Sequence, residues 1–489
     1  PASKNDFLHS TPKFGKLQEG LHKGAILVYH KEKYKGEHRP MEVSLLEMLD
    51  ARERRAARQR ELLGQFGQTL VCFTMNIAGP VKNSPLIARG YCLGRRLLRQ
   101  QLAAAGMPVV HFEEIREKTG NEAIFLVAAQ ALAVKAVTTA IEDSAPIGRL
   151  FDMDVLESTG RKIDRQELGK PGRQCLICGG MAGACARSRA HSVAQLQEET
   201  TRILEEALLE ADSRCAARLA VQALLYEVAV TPKPGLVDRE NSGSHRDMDV
   251  FSFLASGAGL YPYFTQCVKI GRQGGTPEET FRALRTPGLL AEGQMLSSTG
   301  GGNTHKGAIF SMGILCGALG RLERQDWADA DRVLAQCAAM TKGLTAGDFA
   351  GLTPETAKTA GQKLYLRYGI TGVRGQAEAG FPTVGKIGLP KLEAALSAGK
   401  SINEAGCAAL VAMLADTVDT NMIHRGGYEL AKAASEEAKA LLEREPFPGV
   451  PALEELNRDY VEKNLSPGGT ADLLAMTLML HFLKEEAHE

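Results

Sequence analysis

Two aspartates in the first half of the chain have the spacing of a metal-binding pair. Asp152 and Asp154 lie two residues apart in the stretch GRLFDMDV. In a strand the side chains alternate between two faces, so both carboxylates would share one face, opposite Phe151, Met153 and Val155. Such a pair suits Mg²⁺, which takes its other ligands from water and a polyphosphate. The alternative is two exposed acids at a strand end.

A second cluster is rich in sulfur. Three cysteines and one histidine follow each other closely, beginning with a C-x-x-C pair: Cys175, Cys178, Cys185 and His191. Four such ligands suit a tetrahedral structural Zn²⁺. The alternative is three reduced thiols and a surface histidine in a glycine-rich turn, because a second C-x-x-C pair is missing.

Loops in the second half also collect reactive residue types. The prolines and glycine of TPKPGLVDR indicate a shaped loop, which carries Lys233 and leads to His245, Asp247 and Asp249. The histidine and both aspartates are candidates for metal ligands or a general base. The turn STGGGNTHKG precedes an apolar segment, Ala308–Leu319, and presents backbone N–H groups to anions. Its spacing differs from a Walker loop, and the alternative is an ordinary glycine turn.

Three later clusters repeat this composition. Arg374 and Glu378 lie in Gly369–Glu378, Asp419 and Asn421 precede an arginine and two glycines, and SPGGTAD opens another apolar helix. Helix caps explain one polar residue at each such position but not the rest. The candidate site residues of this half, beyond those already named, are Glu292, Gly301, Asn303, His305, Lys306, Arg425 and Asp472.

The surrounding pattern predicts the elements that position these groups. Ser44 and Glu47 match a capping box at the start of a helix. That helix carries five arginines: Arg52, Arg54, Arg55, Arg58 and Arg60. We interpret them mainly as a solvated face paired with Asp50 and Glu53. The alternative is an electropositive patch for phosphates or an acidic partner. Strands are expected at Thr69–Ile77 and at 149–156. Helices are expected at Glu122–Ile141, Gln195–Leu209 and Asp212–Val228.

The expected fold class is an α+β N-terminal domain, with a mixed sheet and helices, followed by a mostly α-helical C-terminal domain. We divide the chain into a polar extension at 1–40, with one strand at Gly24–Tyr29, a first domain at 41–200 and a second at 201–489. The texture changes near residue 192, where Ala/Leu/Glu-rich segments replace β-branched runs.

Composition limits the class of protein. Lys and Arg number 58, as do Asp and Glu, so the formal net charge is zero, which argues against nucleic-acid and membrane-surface binding. We find no apolar run of membrane-spanning length and no signal-peptide pattern. Ten cysteines over 489 residues are too sparse for a disulfide framework. A cytoplasmic enzyme is the expectation.

The first half resembles apo-citrate lyase phosphoribosyl-dephospho-CoA transferase. The matching stretches, in family order, are SLLEMLDARERRAARQ, FTMNIAGPVKNS, KTGNEA, GRLFDMDV and PGRQCLICGGMAGACARSRAHS. The family transfers a phosphoribosyl-dephospho-CoA group to a serine of the citrate lyase acyl-carrier (gamma) subunit and releases pyrophosphate. The resemblance implies a loop near the triphosphate with Asn76, Gly79, Pro80 and Lys82. Arginines become candidates for phosphate contacts: Arg149, Arg165, Arg173, Arg187 and Arg189.

The second half, from about Leu219 to Leu483, resembles triphosphoribosyl-dephospho-CoA synthase. That family uses ATP and 3′-dephospho-CoA, breaks the bond between adenine and ribose, and joins the triphosphoribosyl unit to a 2′-hydroxyl. The chain departs from the family pattern at Gly302, Gln376 and Thr470. The two halves would then perform consecutive steps, which gives their fusion a reason.

The resemblance implies a mechanism with an oxocarbenium-like ribose, which needs nearby negative charge and a proton for the departing base. Asp247, Asp249 and Asp419 are assigned to metal or base duties. Lys233, Lys306 and Arg374 are assigned to phosphates, and Glu292, His305 and Asp472 are further candidates. The general base is left open.

Two other functions remain as alternatives. One is the equivalent pathway for malonate decarboxylase, against which the citrate-type first half argues. The other is a carrier-protein binding module with one inactive half, against which the acidic and phosphate-type loops of both halves argue. Oligomeric state and domain arrangement do not follow from the sequence.

Overall fold

The computed structural model describes residues 27–29 and 41–486. The chain divides into two compact units, Pro1–Leu208 and Leu209–Glu489. Of the expected N-terminal extension, only the strand Leu27–Tyr29 is described; the rest of 1–40 lies outside the described residues.

The first unit is built on a mixed sheet. Within the described residues it has six strands: β1 (Leu27–Tyr29), β2 (Thr69–Met75), β3 (Val109–Glu117), β4 (Gly120–Val127), β5 (Phe151–Leu156) and β6 (Lys162–Ile163). Their order is β1-β3-β4-β2-β5-β6. The pair β1–β3 is parallel and the other four pairs are antiparallel. The predicted strand at 149–156 begins at Phe151, because Pro146–Leu150 form a 3₁₀ turn.

Helices accompany this sheet: α1 (Leu45–Phe66), α2 (Pro85–Ala104), α3 (Ala131–Ser144) and α4 (Ala182–Ser188). The predicted capping box is present at α1, where Ser44 Oγ accepts from the Glu47 N–H at 3.3 Å and Glu47 Oε2 accepts from the Ser44 N–H at 2.9 Å. Tyr91 of α2 stacks on Phe73 of β2 with ring centres 5.1 Å apart. The helix thereby covers one face of the sheet.

The predicted helix at Glu122–Ile141 is wrong in its first part. Residues Gly120–Val127 form β4, and the helix begins only at Ala131. Phe125 packs in one apolar cluster and Ile124 in another, with Leu62 and Leu63 of α1. Because both faces of this strand are covered, its residues form a continuous apolar run without alternation, and periodicity alone cannot distinguish such a strand from a helix.

The second unit is helical throughout its regular structure, which together with the first unit confirms the predicted fold class. It contains the end of α5 (Val193–Ala229) and then α6 (Val250–Gly259), α7 (Tyr261–Arg272), α8 (Pro277–Ser298), α9 (Lys306–Arg321), α10 (Ala330–Met340), α11 (Leu344–Phe349), α12 (Ala360–Tyr368), α13 (Gly372–Glu378), α14 (Leu389–Ser397), α15 (Ile402–Asp416), α16 (Thr420–Gly426), α17 (Tyr428–Arg444), α18 (Val450–Glu462) and α19 (Gly468–Glu486).

One long helix replaces two that the pattern predicted. Gln195–Leu209 and Asp212–Val228 both belong to α5, which runs unbroken for 37 residues. The two intervening residues, Glu210 and Ala211, include no helix breaker, so nothing ends the helix between the two segments. The boundary between the two units lies within α5.

The core of the second unit forms around α9 and α19, whose residues are mostly buried. Helices α7 and α9 approach closely through glycines: a Cβ on Gly271 would lie 2.2 Å from the Gly317 carbonyl oxygen, and one on Gly320 would lie 2.1 Å from that of Val268. No single helix of the described chain has the length and apolar character to cross a membrane; a bent pair, Ile402–Asp416 with Thr420–Gly426, meets those criteria by length and composition alone.

Candidate active sites

The two aspartates of β5 share one face, as the alternation requires. Phe151, Met153 and Val155 are fully buried on the other face. Asp154 Oδ1 lies 2.6 Å from Lys162 Nζ, and Asp152 Oδ1 lies 3.4 Å from an Arg173 guanidinium nitrogen. Each carboxylate therefore already faces a cation.

A cavity in the first unit brings several predicted residues together. Its polar lining includes Arg52, Arg55, Asn76, Lys82, Glu122 and Asp152. Asp154 is not among its lining residues. Arg52 and Arg55 belong to the electropositive patch that was the alternative interpretation of α1, whereas Glu122 was not predicted as a site residue. Glu122 was hidden because its segment was interpreted as a helix, whereas its true position on β4 aims it into the cavity beside Asp152.

The cations that line this cavity, Arg52, Arg55 and Lys82, outnumber its carboxylates, Glu122 and Asp152. Lys82 Nζ donates to the Ile77 carbonyl oxygen at 2.6 Å. Burial, and then the charge of Arg52, hold the pKa of Lys82 below its usual value. A bound phosphate would compensate both effects, because it supplies negative charge to a desolvated ammonium.

The arginines of α1 have partners other than the expected Asp50 and Glu53. Arg54 pairs with Glu117 at 2.9 Å, and Arg55 pairs with Glu122. Arg58 pairs with Glu113 and, one turn along its own helix, with Glu61. Because α1 packs against the sheet, acids on β3 and β4 come within reach, which sequence spacing alone does not reveal.

The arginines predicted to contact phosphate are placed differently from one another. Arg173 pairs with Glu142 and faces Asp152 at the edge of the cavity. Arg149 donates to the carbonyl oxygens of Gln174, at 3.0 Å, and Cys175. Arg165 pairs with Asp143 at 2.6 Å, while Arg187 and Arg189 are exposed. Arg173 alone of these five touches a residue that lines the cavity.

In the second unit, two cavities lie beside the short helix α13. Gln376 and Gly372 line one, together with Thr371, Asp419, Gly469 and Thr470. Arg374 lines the other, together with Tyr263, Glu292, Lys306, Gly307 and Asp348. Val373 lines both. The Arg374 cavity thus unites three predicted residues: Glu292, Lys306 and Arg374.

Cations and carboxylates alternate around the Arg374 cavity. Lys306 Nζ lies 2.9 Å from Glu292 Oε2, and Arg374 Nε lies 2.7 Å from Asp348 Oδ2. Arg285 also reaches Asp348, at 3.4 Å. Apolar side chains complete the wall, so the cavity can hold both the phosphates and the base of a nucleotide. The sequence offered no signal for Asp348, a single acid in a short helix.

Asp419 connects two helix starts. Its Oδ1 accepts from the Asn421 N–H at 2.7 Å, and its Oδ2 accepts from Thr470 N–H at 2.7 Å and Oγ at 2.9 Å. Burial raises the pKa of Asp419, and these hydrogen bonds oppose that change. Thr470, one of the three positions where the chain departs from the family pattern, supplies the hydroxyl of this contact.

A group of buried charges lies beneath these loops. Lys233 is 1% exposed and pairs with Glu227, which is 3% exposed. His305 Nδ1 is 2.7 Å from Ser256 Oγ, and burial, followed by the charge of Lys233, lowers the pKa of His305 to about 3. His305 is therefore neutral and belongs to the interior. Glu227 was missed, although one acid in the apolar run LLYEVAV was a usable signal.

The loop with the predicted metal ligands is anchored by polar contacts. His245 Nε2 lies 2.8 Å from Ser466 Oγ, and its Nδ1 lies 3.8 Å from Asp247 Oδ1. Asp249 caps α6, where its Oδ1 accepts from the Ser252 N–H at 2.9 Å. Arg425 donates to the Ser244 carbonyl oxygen at 2.9 Å. The remaining candidates Gly301, Asn303 and Asn421 are exposed, and none of them lines either cavity.

Gly307 should not tolerate a side chain. A Cβ there would lie 1.9 Å from Asp472 Oδ2, at the half-buried start of α9. We expect Gly307→Ala to destabilise this unit by about 1–3 kcal/mol, the usual cost of overpacking, as measured by denaturation followed through Trp327 fluorescence. Gly293→Ala is the control, because nothing lies within 4 Å of that Cβ on the helix α8. Equal stability of the two variants would contradict the close packing.

Both units hold cavities in which arginine or lysine side chains converge with carboxylates, a lining that suits a transferase acting on phosphorylated substrates. Residues 213–489 match the family described as CitG, ATP:dephospho-CoA triphosphoribosyl transferase. Residues 43–207 match CitX, apo-citrate lyase phosphoribosyl-dephospho-CoA transferase. The first match spans more than half of the chain, so the chain belongs to the CitG family, with a CitX-type part before it.

Relatives of known name agree with both matches. Protein CitXG of Haemophilus influenzae is 34% identical over 456 residues, which cover 89% of this chain and 95% of that protein. Protein CitXG of Leuconostoc mesenteroides is 30% identical over 458 residues, covering 90% and 97%. The 2-(5''-triphosphoribosyl)-3'-dephosphocoenzyme-A synthase of Pectobacterium atrosepticum is 40% identical over 286 residues, covering 57% and 91%. Both resemblances inferred from the motifs are confirmed.

Proposed function

We propose that this chain makes the prosthetic group of citrate lyase and attaches it to the acyl-carrier subunit. In the first reaction the 2′-hydroxyl of 3′-dephospho-CoA attacks the anomeric carbon of ATP, adenine leaves, and the hydroxyl proton balances the departing base. In the second, a serine hydroxyl of the carrier attacks the phosphate next to the ribose, and pyrophosphate leaves. The observation that carries this proposal is the match of two transferase families in tandem along one chain.

The Arg374 cavity is our candidate for the ATP site. Lys306 and Arg374 supply positive charge for the triphosphate. Glu292, 2.9 Å from Lys306, is the predicted carboxylate that shares this cavity with both cations, and it suits stabilisation of a positive ribose carbon. The neighbouring cavity beside Asp419 is our candidate for dephospho-CoA. Two adjacent cavities agree with a reaction between two nucleotides.

The cavity of the first unit is our candidate for attachment. Lys82, Arg173 and Asn76 would contact the triphosphate, with Asp152 beside them. Asp152 and Asp154 have the oxygen donors that suit Mg²⁺, and the ion, when bound, would neutralise charge on the phosphates. Asp247 and Asp249 are exposed carboxylates that remain candidates for a second Mg²⁺ in the other unit. The substrates of both reactions make the cytoplasm the proposed location.

The experiment that tests this function uses the full chain with ATP, Mg²⁺ and dephospho-CoA. Free adenine should appear by chromatography, and added apo-carrier of citrate lyase should gain the mass of the prosthetic group. ATP hydrolysis without adenine release would contradict the synthase assignment. A malonate decarboxylase carrier serves as the comparison, since preferential modification of that carrier would favour the alternative pathway.

We expect the first unit to bind the triphosphate intermediate less tightly as pH rises. This loss should begin at a lower pH than it would if Lys82 had the pKa of an ordinary lysine. The pKa of Lys82 is lowered in the free protein, so its charge is lost early as pH rises, and the triphosphate is bound less tightly above that point. KM for the intermediate, measured against pH, should rise through this range. Lys82→Arg keeps the charge at every pH tested and should remove the rise. The same pH profile for both proteins would contradict a phosphate contact.

A further inference from the structure

The segment that follows Lys170 has almost nothing to hold it in place by burial. Between residues 171 and 192 Cys175 is the one buried residue, at 4% exposed, and α4 within this segment buries none. Its backbone hydrogen bonds are mostly local: Cys175 N–H donates to the Gly180 carbonyl oxygen at 2.6 Å, Ala182 N–H donates to that of Arg173 at 2.9 Å, and a bridge joins Gln174 to Met181. Ordering a chain costs conformational entropy at every residue, and apolar burial normally offsets it. Here some other interaction must supply that stabilisation.

Four potential metal ligands converge in the same segment. One ligand atom from each of Cys175, Cys178, Cys185 and His191 lies within 4.8 Å of all the others. The Sγ atoms of Cys178 and Cys185 are 3.5 Å apart. A tetrahedral Zn²⁺ with bonds of about 2.3 Å to sulfur sets neighbouring sulfur atoms about 3.8 Å apart. The spacing is close to that of a closed structural site.

Two further observations indicate a bound ligand among these four residues. His191 Nε2 is buried and contacts no hydrogen-bond partner in the described chain, and a buried polar atom is normally paired. The backbone N–H groups of Ile177 and Cys178 are directed at the Cys175 sulfur. Donors of this kind orient and stabilise a sulfur ligand from outside the metal shell.

We propose that Cys175, Cys178, Cys185 and His191 bind one structural Zn²⁺, which orders residues 171–192 and thereby positions Arg173 beside Asp152. Arg173 is two residues from Cys175, and its carbonyl oxygen accepts from the Ala182 N–H at 2.9 Å, across the bridged turn. Its guanidinium contacts Glu142 and lies 3.4 Å from Asp152. The second half of this inference, that Arg173 then serves the triphosphate, rests on the proposed attachment function.

Metal content of the full chain tests the site itself. Protein purified with trace zinc present should contain about one Zn²⁺ per chain, and loss of one of four ligands in Cys178→Ser should lower this at least fivefold. Cys92→Ser is the matched control, a partly exposed thiol in the same unit but outside the cluster, and should keep the zinc. Zinc below a tenth of an equivalent in the unaltered protein, or equal zinc in all three proteins, would overturn the proposal.

Cobalt substitution provides a readout that does not need the variant to fold. Replacing zinc by Co²⁺ in the unaltered protein should give the intense thiolate-to-metal absorption of a tetrahedral sulfur site. Absence of that absorption, with cobalt bound, would overturn the assignment of the cysteines as ligands.

The positioning role has its own test in the same chain. Removal of zinc by a chelator, followed by removal of the chelator, should raise KM for the triphosphate intermediate in attachment about tenfold or more. The kcat should change much less, and adenine release should be unaffected. Added Zn²⁺ should restore KM. Unchanged KM after complete zinc loss would refute the positioning of Arg173, whereas no attachment by the zinc-loaded protein would instead refute the proposed function.

Discussion

We expect Asp152→Asn to lower attachment of the prosthetic group to the carrier by about two to three orders of magnitude, while adenine release continues. Asp152 lines the cavity of the first unit with Lys82 and Arg55. The substitution preserves shape but removes a charge that would hold a metal ion on the triphosphate. A loss of that size corresponds to about 3–4 kcal/mol of transition-state stabilisation. Carrier mass by mass spectrometry and adenine by chromatography measure the two steps.

Asp154→Asn is the informative companion. Its carboxylate shares the face of Asp152 but pairs with Lys162 and does not line the cavity. A loss as large as that of Asp152→Asn would mean that both carboxylates hold the ion. The pairs on this face are substantially exposed, so neither change should cost much folding stability.

The reverse variant is Lys306→Ala in the second unit. Lys306 is exposed, so its removal should leave the fold intact. It should weaken ATP use in adenine release by removing a cation from the Arg374 cavity, yet the protein should still attach a pre-made intermediate to the carrier. If Asp152→Asn, in a folded protein, abolishes both activities, the assignment of separate sites is wrong.

The second large effect is on stability. We expect Glu227→Leu to destabilise the second unit by about 3–5 kcal/mol, because it leaves the buried ammonium of Lys233 without its partner. Lys233→Met should cost a similar amount, because it leaves the buried carboxylate of Glu227 without its partner. The double variant should cost clearly less than the sum, since no unpaired charge then remains.

The single tryptophan makes this measurement specific. Trp327 is 1% exposed in the core of the second unit, so denaturation followed by its fluorescence reports that unit. Glu436→Gln is the control: its pair with Lys432 is exposed and should contribute less than about 1 kcal/mol. If the loss of unfolding free energy in the double variant equals the sum of the losses in the two single variants, Glu227 and Lys233 are not energetically coupled.

Local chemistry was the part of this protein that sequence could predict. The capping box at Ser44 and Glu47 depends on two residues three positions apart, and the shared face of Asp152 and Asp154 depends on strand alternation alone. The cysteine cluster is likewise close in sequence. The family motifs also predicted the two reactions, because the order of these motifs along the chain is specific to the two families.

Contacts between distant segments could not be predicted in this way. Glu122 becomes a cavity residue only because β4 lies between β2 and β3, and a strand covered on both faces loses the alternation that would identify it. Arg54, Arg55 and Arg58 of α1 each pair with an acid on the sheet, because packing brings those acids near.

The sequence by itself determined which residues are available for catalysis, the two families, and the mostly helical character of the second half. Only the tertiary structure decided which of those residues meet. The fold buries Lys233 beside Glu227, and it also buries His305. It places Glu292, Lys306 and Arg374 around one cavity. The physical reason is that burial and long-range pairing depend on the whole packed core, whereas caps, alternation and ligand spacing depend on a few neighbouring residues.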